Sequence, residues 1–162
     1  RFSVEGLPGG KFFLQPGTSE RKVYLKSITW NGKDLTREPL ELAEGATAEG
    51  VRVVFGRDPA TLRLTAVGAG DRKPALYATA FLQPADAADL SPRSARLLSC
   101  STGDGGSCNV EAPPGEYHIV VLPRKVSRDA VEAEVRRRAP GSPRVVLRAG
   151  EAKEFEAVVP ER

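Results

Sequence analysis

Short segments in which apolar and polar residues alternate follow one another along most of the chain. In residues 61–67, for example, Leu62, Leu64 and Ala66 alternate with polar residues, and a period of two is typical of a β-strand with one buried face. Turns rich in glycine and proline separate these segments. Strands so short and so regularly spaced predict an all-β sandwich. The predicted strands cover residues 2–4, 11–15, 22–30, 50–55, 61–67, 75–83, 96–100, 108–111, 116–122, 144–147 and 153–159.

For two of these segments, the pattern also predicts which faces of the strand are apolar. Strict alternation over residues 22–30 places Tyr24, Ile28 and Trp30 on one face. The segment 75–83 is apolar on both faces, which is typical of a strand in the centre of a sandwich.

Residues 127–138 break the strand pattern and predict one short helix. Ser127 is a candidate N-cap, and Glu132 and Arg136 are spaced as an i,i+4 ion pair. We expect this helix to lie over the sandwich in a crossover between two strands. A basic helix that docks a partner is the alternative.

The chain also contains an internal repeat. Val-Glu-Gly-Leu-Pro-Gly at 4–9 aligns with Val-Glu-Ala-Pro-Pro-Gly at 110–115, an offset of 106. Leu-Ala-Glu-Gly at 42–45 aligns with Leu-Arg-Ala-Gly at 147–150, an offset of 105. Two matches at nearly the same offset indicate two copies of one structural unit, each followed by a closing strand.

The two copies differ in what comes before them. About 50 residues of β pattern precede the second copy, and none precede the first. We therefore expect an incomplete first sandwich at 1–57 and a complete second sandwich at 58–162, in tandem. Half a sandwich exposes an apolar face and unpaired strand edges. We expect 1–57 to pack against the second sandwich, or to take strands from upstream domains or from a neighbouring molecule.

Three segments resemble a known group of proteins. They are Val-Glu-Gly-Leu-Pro-Gly-Gly at 4–10, Val-Tyr-Leu-Lys-Ser-Ile-Thr-Trp-Asn-Gly-Lys-Asp-Leu at 23–35, and Ala-Pro-Pro-Gly-Glu-Tyr at 112–117. They are similar to segments of bacterial secreted proteins with carboxypeptidase-regulatory-like domains, also called transthyretin-like or prealbumin-like. The resemblance implies seven-stranded sandwiches in tandem on exported proteins, and it implies no activity. The segment 100–108 departs from it, because cysteines frame a turn that is usually acidic.

Composition excludes several classes of function. The net charge is +3, and no basic stripe with interleaved aromatic residues is present, so we expect no nucleic-acid partner. No apolar run approaches the length of a membrane span, so we expect no membrane insertion. The single histidine, His118, lacks the partners of a catalytic set, and acidic spacing suited to a metal is absent. We expect no enzyme activity, no metal and no cofactor. The chain begins with Arg1 and contains no Met, which suggests a processed piece of a longer product.

Cys100 and Cys108 bracket a glycine-rich turn. Cysteines on facing strands of a hairpin can meet the spacing of a disulfide, and such a bond indicates an oxidising compartment. Two free thiols are an alternative, and a metal or redox pair is another, which the absence of a Cys-x-x-Cys motif disfavours.

Several large apolar residues fall in the incomplete first copy, and we take them as candidate interface residues: Phe12, Phe13, Tyr24, Ile28 and Trp30. If they are exposed together, they suit a protein interface or a sugar-stacking platform. If they are buried, they form a core.

The sequence predicts a non-catalytic structural module of an extracellular or cell-surface assembly, with the periplasm as an alternative location. It would act by completing strands and faces between protein subunits, and a filament is one form of this hypothesis. The alternative function is a carbohydrate-binding accessory module of a secreted protein, with polysaccharide as its partner. An enzyme built on a transthyretin-like fold is a more distant alternative.

Overall fold

A computed structural model describes residues 3–86, 94–123, 126 and 128–159 of the chain. It confirms the prediction of a mostly β protein with one short α-helix. A single turn of 3-10 helix, Ala139–Gly141, follows the α-helix. The elements are β1 (Gly10–Phe12), β2 (Val23–Trp30), β3 (Lys33–Asp34), β4 (Leu40–Leu42), β5 (Arg52–Arg57), β6 (Ala60–Gly68), β7 (Thr79–Pro84), β8 (Leu98–Ser101), β9 (Ser107–Ala112), β10 (Gly115–Leu122), α1 (Arg128–Arg138), β11 (Arg144–Leu147) and β12 (Ala152–Val159).

Strands β6 to β12, which we call the carboxy-terminal unit, form two facing sheets. One has the order β11-β10-β7-β8 and the other the order β12-β6-β9, with β12 parallel to β6. The alternation predicted for β6 is confirmed, because Leu62, Leu64 and Ala66 have no exposed surface. Side chains of both sheets join one cluster of fifteen buried apolar residues. Burial on this scale is the main source of the unit's stability.

Helix α1 connects β10 to β11 and covers the outer face of their sheet. Val135 is buried there with Val120 and Leu122 of β10. The predicted pair Glu132–Arg136 is formed at 3.1 Å. The predicted cap, Ser127, lies outside the described residues.

Strands β1 to β5, which we call the amino-terminal unit, form two smaller sheets. One pairs β1 with β4, and the other has the order β3-β2-β5. Their common core contains three buried apolar residues, Ile28, Leu35 and Leu40, surrounded by partly buried ones. This core is much smaller than the cluster of the carboxy-terminal unit.

Several predicted strand limits are wrong. Residues 3 and 4 are not in a strand, β1 covers only Gly10–Phe12, and β3 and β4 were not expected. Strand β7 begins at residue 79 instead of 75, because Tyr77 has a positive φ of 57° and the chain turns there.

The prediction that Tyr24 shares a face with Ile28 and Trp30 is also wrong. The β2–β5 ladder shifts register between Leu25 and Ser27, which leaves Lys26 as an extra residue. An extra residue in one strand moves the following side chains to the other face. Leu25, rather than Tyr24, therefore shares the core face with Ile28.

Candidate strand-pairing interface

The pairing of β1 with β4 reproduces the pairing of β10 with β11. Gly10 lies opposite Leu42, and Gly115 lies opposite Leu147. Both partners are shifted by 105 residues, from 10 to 115 and from 42 to 147. The turns after β4 and β11 also correspond, since Gly45 and Gly150 have φ values of 73° and 68°.

This register refines the repeat seen in the sequence. It places Gly10, rather than Gly9, at the position of Gly115, and Phe12 at the position of Tyr117. The offset of 106 expected at this turn is therefore too large by one residue. The three pairs of the β1–β4 ladder therefore match the first three pairs of the β10–β11 ladder.

The closing strand predicted for each copy is present, as β5 and as β12, but the two strands pair differently. Strand β12 pairs in parallel with β6, whereas β5 pairs antiparallel with β2. Strand β2 lies between β1 and β4 in the chain, where the carboxy-terminal unit has α1 instead. In the amino-terminal unit, β2 is the central strand of one sheet, and the other sheet consists, among the described residues, of β1 and β4.

Strand β10 has a neighbour on both sides, whereas the described residues provide β1 with a neighbour on one side only. On the side away from β11, β10 pairs with β7 over six residues. Among the described residues, β1 pairs with β4 only. The edge of β1 that faces away from β4, which we call the open edge, is therefore equivalent to the edge of β10 that β7 covers.

The hydrogen bonds of β10 indicate which backbone groups of β1 point to the open edge. The carbonyl of Glu116 accepts a hydrogen bond from the amide of Ala85, just after β7, while the amide of Ile119 donates to Pro143, just before β11. Backbone groups of an antiparallel strand face its two neighbours alternately. Lys11 corresponds to Glu116 by the offset of 105, so the backbone groups of Lys11 point to the open edge.

A groove of about 290 Å³ lies at the continuation of this edge. Gln15, Pro16 and Leu25 line it on the side of the amino-terminal unit, and residues 94, 95 and 97–99 line it on the other side. Gln15 and Pro16 follow β1, which ends at Phe12. The groove therefore lies between the segment after β1 and the segment that leads into β8.

The predicted interface residues are divided between this region and the core. Phe12 and Phe13 are half-buried, and Phe12 lies opposite Leu40. Ile28 has no exposed surface and belongs to the core. Trp30 is half-buried against that core, and its indole N–H donates a 2.9 Å hydrogen bond to the carbonyl of Glu49.

Tyr24 lies on the opposite face of β2, over Gly56. A β-carbon at Gly56 would lie 2.3 Å from the Tyr24 ring, so glycine is required for this close approach. Tyr24 is also near Tyr117 of the carboxy-terminal unit. Burial raises the pKa of Tyr117 to about 12; Arg96 opposes this rise, and Asp86 and Tyr24 add to it.

Polar contacts join the two units beside the groove. Arg37 donates a 2.9 Å hydrogen bond to the carbonyl of Asp86, whose carboxylate also pairs with Arg96 at 3.1 Å. The buried hydroxyl of Ser94 donates to the carbonyl of Thr36. These polar residues lie far apart in the sequence and carry no pattern, so sequence analysis did not identify them.

The disulfide Cys100–Cys108 is formed, with 6.0 Å between the Cα atoms. The sequence predicted a bond across a hairpin, but the two cysteines do not lie on paired strands. Cys100 lies on β8, at the edge of one sheet, and Cys108 lies on β9, at the edge of the other. The bond therefore ties the two sheets together along one side of the sandwich.

An ion pair joins β1 to its neighbour β4. Lys11 and Glu41 form a 2.9 Å ion pair across the β1–β4 ladder. The hydrogen bond and charge of Lys11 hold the pKa of Glu41 below its usual value. This exposed pair marks the polar face of the ladder, opposite its core face.

The described residues give little support for other kinds of site. They contain no cluster of three or more His, Cys, Asp or Glu side chains arranged to hold a metal ion. No helix in these ranges is long and apolar enough to cross a membrane. His118 is buried on the outer face of β10, between Gln83 and Arg144 of the neighbouring strands.

Comparisons with known proteins give structural similarity alone. No protein-family model matches the sequence, and no curated protein matches it. Among solved structures, the chain is similar to the major pilin subunit BcpA of Bacillus cereus, with 8% identity, a TM-score of 0.39 and 86% of this chain covered. It is also similar to the group B streptococcus pilus 2b backbone protein (12%, 0.41, 94%) and to the Bacillus anthracis TIE protein (10%, 0.41, 93%). The matches cover 56%, 52% and 34% of those three chains.

Proposed function

We propose that this chain is a non-catalytic structural module of an extracellular or cell-surface assembly. Its domains are an incomplete sandwich at 1–57 and a complete sandwich at 58–162. The incomplete sandwich binds other protein subunits, or upstream domains of the same chain, by accepting a strand along the open edge of β1. The family that the sequence resembles, the secreted carboxypeptidase-regulatory-like proteins, is part of this proposal.

The observation that carries the proposal is the shared register of the two ladders. Gly10 and Leu42 correspond to Gly115 and Leu147, yet in the part of the chain that the structure describes only β10 has a neighbour on its far side. A strand edge with unsatisfied amide and carbonyl groups is a template for pairing with another chain.

Burial supports the same conclusion. The core of the amino-terminal unit includes three buried apolar residues, against fifteen in the main cluster of the carboxy-terminal unit. Leu25 and Leu14 remain only partly buried at its margin. An added strand would bring apolar surface onto this margin, which is the favourable term in association.

The disulfide supports an extracellular location. A structural bond between Cys100 and Cys108 persists in oxidising compartments and is rare in the cytosol.

The carbohydrate-binding alternative predicted an exposed row of aromatic rings. Among the described residues, the aromatic side chains that are exposed are Phe55 and Tyr77, and they belong to different units. The ring of Trp30 is half-buried against the amino-terminal core, so it is not part of an exposed row. We therefore favour protein partners.

The test compares the native material, isolated from the producing cells without denaturant, with the purified 162-residue chain. Light scattering measures the size of each, and hydrogen exchange with mass spectrometry measures protection of residues 10–15. We expect the native material to be larger than one chain and to protect these residues at least about tenfold more. A native monomer, or equal exchange in both samples, would overturn the proposal.

A further inference from the structure

We propose that two copies of this chain associate through β5 (Arg52–Arg57), by antiparallel pairing of the two β5 strands about a two-fold axis at Phe55. Among the described residues, β5 pairs with β2 only, and we call its other side the free edge. A second copy presents the same free edge, so the incoming strand is available in the folded chain. This surface is separate from the open edge of β1, so the inference goes beyond the proposed function.

Two backbone hydrogen bonds establish which groups of β5 point to the free edge. The amide of Asp58 donates to the carbonyl of Lys22, so Asp58, just after β5, faces β2. The amide of Leu35 donates to the carbonyl of Ile28, so Ile28 faces β3 and Val53, opposite Ile28, faces away from β2. Backbone groups of an antiparallel strand face its two sides alternately. Those that point to the free edge therefore belong to Val53, Phe55 and Arg57.

These outward groups meet their counterparts when the pairing is centred on Phe55. Phe55 then lies opposite Phe55 of the second copy, and Val53 lies opposite Arg57 of the second copy. Each such pair exchanges two hydrogen bonds. The backbone of the free edge is therefore complementary to itself.

The side chain of Phe55 favours the same centre. It lies opposite Leu25 on the core face of the sheet, yet 37% of its surface is exposed. In the dimer its ring would contact the same ring of the second copy, and aromatic pairs across strands are stabilising. Association would thus remove from water an apolar side chain that the single chain leaves exposed.

The outer face of β5 also distinguishes this register from its neighbour. Gly56 has no side chain of its own, and the Tyr24 ring covers it. Centring on Phe55 places Val54 of the second copy opposite Gly56, where it would contact that ring, a favourable cross-strand contact. Centring on Val54 would place Arg52 of the second copy there instead.

The charges near β5 are compatible with self-pairing. In the register centred on Phe55, Arg52 lies beside Asp58 of the second copy, and both side chains are exposed. Opposite charges across paired strands are stabilising, and the two-fold axis creates this contact twice.

Strand β12 provides a contrast, since β6 is its single partner in the described part of the chain. Glu154 and Glu156 lie on one face of β12. Two-fold pairing centred on residue 154, 155 or 156 would place glutamates opposite each other, which is destabilising. Strand β5 contains no acidic residue, so a second copy fits β5 and not β12.

The first test measures the association of the purified full chain by sedimentation equilibrium. We expect a monomer–dimer equilibrium with a dissociation constant below about 200 µM. Phe55→Glu places like charges opposite each other at the axis, so it should raise this constant at least about tenfold. Val158→Glu makes the same change at an exposed residue of β12 and should alter it less than about twofold. Fluorescence of the single tryptophan, Trp30, checks that both variants fold.

The second test determines the register by crosslinking. Phe55→Cys places a thiol at the axis, where paired Cα atoms lie about 5.5 Å apart and can form a disulfide. Val53→Cys places a thiol on the same face, but the two thiols are offset by four residues, roughly 14 Å. The native cysteines are bonded to each other. Under mild oxidation, we expect Phe55→Cys to give at least about fivefold more covalent dimer than Val53→Cys on a non-reducing gel.

Three results would overturn this inference: a purified chain that stays monomeric at about 200 µM, equal dimerisation of Phe55→Glu and Val158→Glu, or equal crosslinking of the two cysteine variants. If Phe55→Glu does not fold, the cysteine variants still decide the register. The proposed function would remain in each case, because it depends on protection of residues 10–15 in the native material.

Discussion

The hydroxyl of Ser94 donates a hydrogen bond to the carbonyl oxygen of Thr36, and both residues are buried where the two units meet. The same hydroxyl accepts a hydrogen bond from the amide of Arg96. Ser94→Ala leaves a buried carbonyl without a partner, which costs about 1 to 3 kcal/mol. We expect this loss to fall mainly on the amino-terminal unit, because its core is the smaller one.

Trp30 makes that expectation measurable, because it is the only tryptophan of the chain and lies in the amino-terminal unit. In urea, we expect Ser94→Ala to move the Trp30 fluorescence transition to a lower concentration than the circular dichroism transition. Ser99→Ala, which removes an exposed hydroxyl on β8, is the control and should leave both transitions in place. Coincident transitions in Ser94→Ala would contradict this account of the junction.

The Cys100–Cys108 bond closes a loop with a sequence separation of 8 between two sheet edges. In the chain-entropy account, a loop of about this length contributes roughly 2.5 kcal/mol to the free energy of unfolding. We expect a reductant, or Cys100→Ser with Cys108→Ser, to lower that free energy by a similar amount in chemical denaturation. The reductant should have no effect on the double variant, and an unchanged midpoint in the reduced native chain would refute the prediction.

The sequence was sufficient where a side-chain pattern reports directly on burial. The alternation of Leu62, Leu64 and Ala66 predicted β6 and its core face, because each apolar side chain on one face must be covered. It was insufficient for the face of Tyr24. Tyr24 and Leu25 are both apolar enough for a core, so the pattern does not reveal the extra residue at Lys26.

Long-range relationships were predicted only in part. The repeat indicated that β1 and β10 are equivalent, and the structure confirms this through the shared register of their ladders. The pairing of the two cysteines was also predicted, but its place between the sheets was not. Strands adjacent in sequence suggest a hairpin, whereas β8 bonds to β7 and β9 bonds to β6. The choice of partners depends on the whole sandwich, which local patterns do not encode.

Trp30 distinguishes a structural role from a role in sugar binding. Its ring packs against the amino-terminal core, and its N–H is bonded to the Glu49 carbonyl. We expect Trp30→Ala to lower the free energy of unfolding by about 2 to 4 kcal/mol. Trp30→Phe, which keeps a ring in the core, should cost only about 1 kcal/mol, roughly the value of one hydrogen bond. Circular dichroism in urea measures both. Loss of glycan binding in Trp30→Ala without a loss of stability would instead favour the carbohydrate-binding alternative.

The raised pKa of Tyr117 leads to a prediction about protein stability at alkaline pH. Its hydroxyl donates a 2.7 Å hydrogen bond to the carbonyl of Pro113, and burial raises its pKa from 10.0 to about 12. The folded pKa lies above the unfolded one, so the unfolded chain loses this proton first as the pH rises. The contribution of Tyr117 to stability is therefore complete below about pH 10 and disappears by about pH 12, a loss of roughly 2 to 3 kcal/mol.

The variant Tyr117→Phe has no hydroxyl proton to lose. It should start about 1 kcal/mol less stable at neutral pH because the hydrogen bond is absent, and its stability should fall less steeply between these pH values. Urea unfolding of both proteins at several pH values measures the difference, and parallel pH profiles would rule out Tyr117 as the group responsible.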